Sequence, residues 1–154
     1  MHHFKSNRVV SYNSEQMFDL VADVEKYPQF VPLCKKIVVY SHEQIDKELS
    51  LVAGMTIGYM GIQETFITQV QLQKHKKRIF VKHIENLFRF LENHWHFEET
   101  PSGKCVIHFS IKYELKNILF DKALKLMFDR TFLSFAAAFE KRAQEIYQPS
   151  LSRQ

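Results

Sequence analysis

The sequence of 154 residues predicts one α+β domain, in which a curved antiparallel sheet surrounds a long C-terminal helix. Apolar and polar residues alternate through most of residues 37–113, the period of strands that are buried on one face. From Ile118 the apolar residues recur at helical spacing, and no Gly or Pro interrupts them before Pro149. Only a sheet of about six or seven strands that bends around this helix would bury its aromatic face. The domain is expected to span residues 1–148, with a disordered tail at 149–154.

Two short helices are expected directly after the first strand. The strand is predicted from Phe4 to Val10. Asn13 and Ser14 are suitable N-cap residues for a helix of two or three turns. The segment Tyr27–Pro32 contains two prolines, which limit it to about one helical turn, and it is too apolar to be a free loop. It is expected to pack against the apolar interior.

The middle of the chain is expected to form antiparallel hairpins. A strand over Ile37–Tyr40, a turn at Ser41–Gln44 and an alternating strand from Ile45 make up the first of them. A turn at Pro101–Gly103 joins the two strands with the clearest alternation. Glycine in a strand commonly marks a bulge or bend, so the sheet is expected to curve at Gly54, Gly58 and Gly61.

The last helix is predicted to begin after Asn117, which is placed as its N-cap. A helix of about 29 residues is about 43 Å long. It is therefore long enough to cross the whole sheet.

Aromatic residues are unusually abundant. The chain has 14 Phe, six Tyr and one Trp, more rigid aromatic surface than a domain of this size needs to close its core. Some of these rings are expected to line a cavity for an apolar ligand.

The sequence gives no sign of membrane insertion or export. No stretch reaches the ~18 apolar residues of a membrane-spanning helix, and the N-terminus lacks a signal-peptide core. A cytoplasmic location is expected. Peripheral contact with the inner face of the membrane is compatible with this location. The two cysteines, Cys34 and Cys105, are expected to be buried free thiols.

Basic residues are concentrated in two places along a chain of net charge +4. They could attract the phosphates of lipid headgroups or of RNA, or they could simply be solvated turns. The residues concerned are Lys35, Lys36, Lys74, Lys76, Lys77 and Arg78.

Signatures of catalysis are absent from the sequence. It has no GxGxxG and no GxxxxGK[ST] phosphate loop, and no nucleophile triad can be assembled from its spacing. His94, His96 and Glu98 share one strand face, but it is the face opposite Trp95 and should be wet, so no metal site is expected. The protein is not expected to be an enzyme, to need a cofactor or to bind DNA.

Glu64 is the polar residue of most interest, because strand alternation places it inward together with Phe66 and Thr68. Two interpretations remain open. Its carboxylate could hydrogen-bond the polar head of a ligand, or it could pair with a basic side chain on the long helix.

Four segments together resemble the START-like helix-grip family, part of the polyketide cyclase/dehydrase and lipid transport superfamily. They are Tyr27–Cys34, Glu64–Phe66, Trp95–Phe97 and Phe135–Ala143. The family includes the coenzyme Q-binding proteins and the bacterial ribosome-association toxin. The sequence departs from its pattern at Leu33, where tryptophan is usual, and at Asn86-Leu87, where Gly-Pro is common.

The resemblance implies that the protein carries ubiquinone or a related polyprenyl quinone for respiratory electron transport without catalysing a reaction. Two alternatives come from the same family: a ribosome-binding regulator of the large subunit, and a polyketide cyclase or aromatase. The apolar lining of the ligand site is expected to consist of Phe30, Val31, Cys34, Phe66, Phe80, Phe88, Trp95, Phe109, Met127, Phe128 and Phe135.

Overall fold

The computed structural model describes residues 1–59 and 61–148, with backbone only at positions 120, 123 and 124. The tail expected at 149–154 lies outside the described residues. The elements, in chain order, are β1 (His2–Val10), α1 (Ser14–Ala22), a 3₁₀ helix (Val24–Gln29), β2 (Cys34–Ile45), β3 (Glu48–Tyr59), β4 (Ile62–Gln73), a 3₁₀ turn (Lys74–Lys76), β5 (Arg78–Glu85), β6 (Phe88–Glu99), β7 (Cys105–Leu115) and α2 (Ile118–Tyr147).

The seven strands form one antiparallel sheet in the order β1-β7-β6-β5-β4-β3-β2. Trp95 of β6 lies opposite Phe109 of β7, and Phe66 of β4 lies opposite Met55 of β3. These side chains share the face that α2 covers, and the core lies between that face and the helix. The helix-grip architecture predicted from the periodicity is confirmed.

The connections define two ends of the sheet. The β3–β4 and β5–β6 turns and the start of α2 lie at one end, which we call the upper end. The β2–β3, β4–β5 and β6–β7 turns lie at the lower end. Helix α1 packs at the lower end, where the hydroxyl of Tyr147 near the end of α2 donates to the Gln16 carbonyl at 2.9 Å.

Both predicted helix caps are present. The Asn13 side chain accepts the Gln16 N–H at 2.8 Å, and the Gln16 side chain accepts the Asn13 N–H at 3.0 Å. This reciprocal capping box fixes the start of α1. The Asn117 side chain accepts the Leu119 N–H at 2.9 Å, so α2 also begins where its sequence predicts.

The turn predicted at Ser41–Gln44 is wrong. Strand β2 continues through these residues to Ile45, and the chain reverses at Asp46, whose φ of 53° is left-handed. Because β2 is an edge strand and this part of it is exposed, its polar side chains stay in contact with water and carry no desolvation penalty. The resulting run of polar residues resembles the sequence of a turn.

The sheet has register shifts in β2, between Cys34 and Lys36 and between Val39 and Ser41, opposite the part of β3 that contains Gly54. Further shifts lie between Ile67 and Thr68 of β4 and between Phe88 and Phe90 of β6. Gly61, with φ of 82°, belongs to the β3–β4 turn. A Cβ at Gly54 would come within 2.9 Å of the Tyr40 ring, so a larger residue there would displace that ring.

Candidate functional site

A cavity of about 150 Å³ lies between the concave face of the sheet and α2. Its walls are almost entirely apolar. The sheet contributes Ile37, Ala53, Met55, Ile57, Phe66, Thr68, Val70, Ile79, Val81, Phe88, Leu91, Asn93, Trp95, Phe109 and Ile111; the segment after α1 contributes Val24, Tyr27, Val31, Pro32 and Leu33; and α2 contributes Phe128, Thr131, Phe132, Phe135 and Phe139.

Most of the predicted lining residues meet at this cavity, namely Val31, Phe66, Phe88, Trp95, Phe109, Phe128 and Phe135. Several of the aromatic rings among them contact one another edge to face. The Phe66 and Phe88 centroids are 4.9 Å apart, and those of Trp95 and Phe109 are 4.8 Å apart. Such contacts fix the positions of the rings, so the walls are preorganised.

Phe80 does not face the cavity, and its inclusion in the predicted lining is wrong. Residues 79–81 are all apolar, but a strand can turn only alternate side chains to one face. Ile79 and Val81 line the cavity, whereas Phe80 lies on the outer face with its ring 4.6 Å from that of His94.

Phe30 and Cys34 lie in the core beside the cavity rather than in its wall. The Phe30 ring packs at 5.1 Å from Phe139 and beneath the Arg142 guanidinium at 5.2 Å. Burial raises the pKa of the Cys34 thiol to about 11, and it raises that of the Cys105 thiol to about 11 as well. Both cysteines are free and buried, as predicted, and neither has the lowered pKa of a reactive thiol.

Sequence reasoning missed several lining residues that carried a usable signal. Asn93 falls at the inward positions of β6 between Leu91 and Trp95, so alternation alone places it in the wall. Phe132 lies four residues after Phe128 and therefore on the same helical face. Its ring stacks on that of Phe128 at 6.0 Å.

Three of the four polar side chains in the wall are already hydrogen-bonded. The Asn93 Oδ1 accepts the Trp95 Nε1–H at 2.8 Å, and its amide donates to the Ser110 carbonyl at 2.9 Å. The Tyr27 hydroxyl donates to the carbonyl of Val21. Burial raises the Tyr27 pKa far above its ordinary value, so this hydroxyl stays protonated.

The other two polar residues of the wall, Thr68 and Thr131, differ in whether their hydroxyl groups are hydrogen-bonded. The Thr131 hydroxyl donates to the Met127 carbonyl at 2.8 Å, as threonines inside helices often do. Thr68 is 6% exposed and makes no hydrogen bond with any described residue. Its hydroxyl is available to a ligand.

Glu64 lies in a side pocket of about 30 Å³ at the upper end. Leu33 and Ile57 border both this pocket and the main cavity, and Met127 lines only the side pocket. Glu64 forms no ion pair with the described basic residues of α2. Arg142, for example, donates instead to the Gln29 side chain at 2.7 Å.

The basic residues singled out in the sequence lie at opposite ends of the sheet. Lys35 and Lys36 start β2 at the upper end, beside Gly58 near the β3–β4 turn. Lys74 to Arg78 form the β4–β5 connection at the lower end. Lys74 also pairs with Asp19 of α1 at 3.1 Å, so part of its charge is neutralised within the fold.

The histidines of β6 lie on the outer face of the sheet. His96 stacks on His108 with centroids 5.5 Å apart, and partial burial together with the nearby Arg78 lowers the His96 pKa. Among residues 1–59 and 61–148, no three His, Cys, Asp or Glu side chains are grouped as metal ligands would be.

Two curated proteins of different character are similar to this chain over nearly its full length. Coenzyme Q-binding protein COQ10 homolog B, mitochondrial, of Xenopus laevis is 30% identical over 148 residues, which are 94% of this chain. The chain spans only 59% of that protein's length. The ribosome association toxin RatA of Escherichia coli K12 is 33% identical over 145 residues, covering 90% of this chain and 85% of the toxin.

Solved structures with the same fold include Zhui aromatase/cyclase from a Streptomyces species, with a TM-score of 0.83 and coverage of 97% of both chains. At 12% identity this similarity is one of fold alone. The 18 kDa protein CC1736 of Caulobacter crescentus is 29% identical, with a TM-score of 0.79 over 96% of this chain and 99% of that one.

The family model described as polyketide cyclase / dehydrase and lipid transport matches residues 10–140. No helix within the described ranges has both the length and the apolar character that crossing a bilayer requires. The match includes every strand from β2 to β7 and most of α2. The chain therefore belongs to the polyketide cyclase/dehydrase and lipid transport family.

Proposed function

We propose that this protein binds one molecule of an isoprenoid quinone, ubiquinone or a close relative, and carries it without chemical change. The observation that supports the proposal is the apolar cavity between the sheet and α2, with the Thr68 hydroxyl as its single unpaired polar group among the described wall residues. A quinone offers a flat ring, carbonyl acceptors and an apolar tail, and each of these has a counterpart in the site.

The cavity size suits a ring. An engineered protein cavity of about 150 Å³ lined by apolar side chains remains dry and binds benzene. The cavity here has the same volume and a similar aromatic and aliphatic lining. It can hold a quinone ring, or about one isoprene unit, but it cannot enclose a long prenyl tail.

The tail would leave through the side pocket at the upper end, which adjoins the cavity at Leu33 and Ile57. Each buried CH₂ group contributes about 0.8 kcal/mol, so an isoprene unit of about five carbons contributes roughly 4 kcal/mol. One unit that is buried beside the ring would offset the lower end of an association cost of about 4–15 kcal/mol. Affinity is therefore expected to rise with the first units of the tail and then level off.

A carrier role fits the chemistry of the wall better than catalysis does. General acid–base catalysis needs a titratable group beside the reacting atoms. The described wall residues of the main cavity contribute no carboxylate, imidazole or thiol, and Glu64 lies outside in the side pocket. The Xenopus laevis relative is a coenzyme Q-binding protein, which is consistent with a quinone as the ligand.

Replacing Thr68 with valine is expected to weaken quinone binding about 3- to 10-fold, because one hydrogen bond contributes roughly 0.5–1.5 kcal/mol. The fold should be unaffected, since valine has nearly the same shape. Titration of the purified variant with a short-tailed quinone measures the change. Thr131→Val is the matched control, because that hydroxyl is already bonded to Met127 and its removal should leave affinity unchanged. Equal affinities for both variants and the wild type would exclude Thr68 as the anchor.

Solvent extraction tests the proposal as a whole. The purified protein is extracted with organic solvent, and the extract is analysed by absorbance and mass spectrometry before and after chemical reduction. About one quinone per chain is expected. An extract that contains no quinone, from protein purified without detergent and from cells that make the compound, would contradict the proposal.

A second candidate function is binding to the ribosome. The similarity to the Escherichia coli toxin extends over 85% of the toxin's length. Lys76 and Arg78 are exposed at the lower end of the sheet, away from the ligand cavity. Cosedimentation with large ribosomal subunits that is lost in high salt and in Lys76→Glu/Arg78→Glu, together with an empty solvent extract, would favour this function.

A further inference from the structure

Helix α2 exposes a line of three leucines on the side that faces away from the sheet. Leu119, Leu126 and Leu133 are 79%, 62% and 67% exposed. They are seven residues apart, so they lie almost directly above one another at intervals of about 10.5 Å. Single exposed leucines are ordinary, but three in one line on the outer face of a helix form a second apolar stripe. We call this set the leucine stripe.

We propose that the leucine stripe lies on the surface of an anionic membrane and directs the upper end of the protein toward the lipid. The first argument is charge. Lys122 and Arg130 flank the stripe and make no ion pair with any described residue. Helices that lie flat in a membrane interface combine an apolar stripe with such flanking cations.

The acidic residues of this part of α2 are already engaged. Asp129 pairs with Lys125 at 2.7 Å, and Asp121 accepts the Leu115 N–H at 3.1 Å and pairs with His2. The outer surface around the stripe therefore presents unpaired positive charge to its surroundings. Each basic residue near an anionic surface contributes about 1 kcal/mol.

The second argument is position. The leucine stripe begins in the first turn of α2, which is at the upper end. Met127, adjacent in sequence to Leu126, lines the side pocket together with the exposed Tyr59 and Ile62 of the β3–β4 hairpin. A membrane in contact with the stripe would therefore lie beside the route proposed for the tail.

A second copy of the chain fits the stripe less well. A coiled-coil seam needs large apolar residues at both the a and the d positions of each heptad. With the leucines at a, the d positions are Lys122, Asp129 and Ala136; with the leucines at d, the following a positions are Ala123, Arg130 and Ala137. Neither register supplies a second row of large apolar residues. Lipid tolerates this pattern because the charged side chains can reach the headgroups while the leucines enter the acyl boundary.

Flotation with vesicles tests the proposal, using the full chain and vesicles that contain no quinone. Binding is expected to vesicles of phosphatidylcholine with phosphatidylglycerol and to be much weaker to phosphatidylcholine alone. The double variant Leu119→Ser/Leu126→Ser should lower the partition coefficient at least ~10-fold, because it removes two large apolar side chains from the interface. Lys122→Glu/Arg130→Glu should lower it about 10-fold or more on the anionic vesicles.

The matched control is Ile45→Ser, which removes a 53% exposed apolar side chain at the lower end and should leave flotation unchanged. Equal flotation of the leucine variant and the wild type would overturn the proposal. The proposal would also be overturned if the protein did not float with vesicles and the same leucines were needed instead for a dimer or for binding to the ribosome.

The inference extends the proposed function, since docking would bring the carrier to its ligand, but the two can fail separately. Vesicles without quinone report docking alone, and a short-tailed quinone in solution reports ligand binding alone. A protein that binds quinone but does not float keeps the proposed function and loses this inference.

Discussion

Replacing Phe135 with aspartate is expected to lower quinone affinity at least ~100-fold in a protein that still folds. Phe135 lies on α2 in the cavity wall, with its ring 5.5 Å from Phe132 and 6.3 Å from Phe109. An unpaired carboxylate in this apolar space would be strongly disfavoured once a ligand displaces the water around it. Titration with a short-tailed quinone, with circular dichroism to monitor folding, measures the effect.

Ala137→Asp provides the matched control for this variant. It places the same charge two residues further along α2, at a position that is exposed to solvent. Its affinity should equal that of the wild type. A folded Phe135→Asp protein that binds quinone as tightly as Ala137→Asp would show that the ligand does not occupy the cavity.

Replacing Phe139 with alanine is expected to lower the free energy of unfolding by about 3–5 kcal/mol, the usual cost of truncating a fully buried Phe. Phe139 is 1% exposed, and its ring contacts those of Tyr27, Phe30 and Trp95 at 5.5, 5.1 and 5.4 Å. It thus connects α2 to both the Val24–Gln29 3₁₀ segment and the sheet. Urea unfolding followed by circular dichroism measures the loss.

Leu133→Ala is the control for the stability measurement, because it also truncates a large apolar side chain of α2 but at an exposed position. Its effect should stay within about 0.5 kcal/mol of the wild type. If the two variants were equally stable, Phe139 would not be a structural anchor of the helix.

The periodicity of the sequence was sufficient to predict the architecture and much of the cavity wall. Alternation placed Phe66, Trp95 and Phe109 on one face of the sheet, and helical spacing placed Phe128 and Phe135 on one side of α2. These predictions succeed because side-chain direction in a regular element follows directly from position. The caps at Asn13 and Asn117 succeed for a similar reason, since capping is a local interaction.

Sequence reasoning failed where a local pattern was ambiguous. The apolar run that contains Phe80 fits either register of β5, and only its pairing in the sheet decides which residues face inward. Polar residues at 41–44 resemble a turn unless one knows that β2 is an edge strand. Sheet order is a tertiary property, and the local sequence does not encode it.

The chemical details of the site depend on tertiary contacts in the same way. Thr68 and Thr131 look equivalent in the sequence, yet one hydroxyl is unpaired among the described residues and the other is bonded to its own helix. Glu64 lies on the inward face of β4, as its position in the strand predicts. At that point the inward face lines the side pocket and not the main cavity. Periodicity predicts the face toward which a side chain points, whereas the cavity that the side chain reaches depends on the curvature of the sheet.

The fluorescence of Trp95 tests the presence of a ligand in the cavity most directly, because Trp95 is the single tryptophan of the chain and lines the wall. Titration with a short-tailed quinone should quench its emission saturably, with an end point near one quinone per chain. Ala53→Leu, which fills the cavity from a buried wall position, should abolish the saturable phase without lowering stability. Quenching that rises linearly with quinone concentration and is identical in both proteins would contradict binding in this cavity.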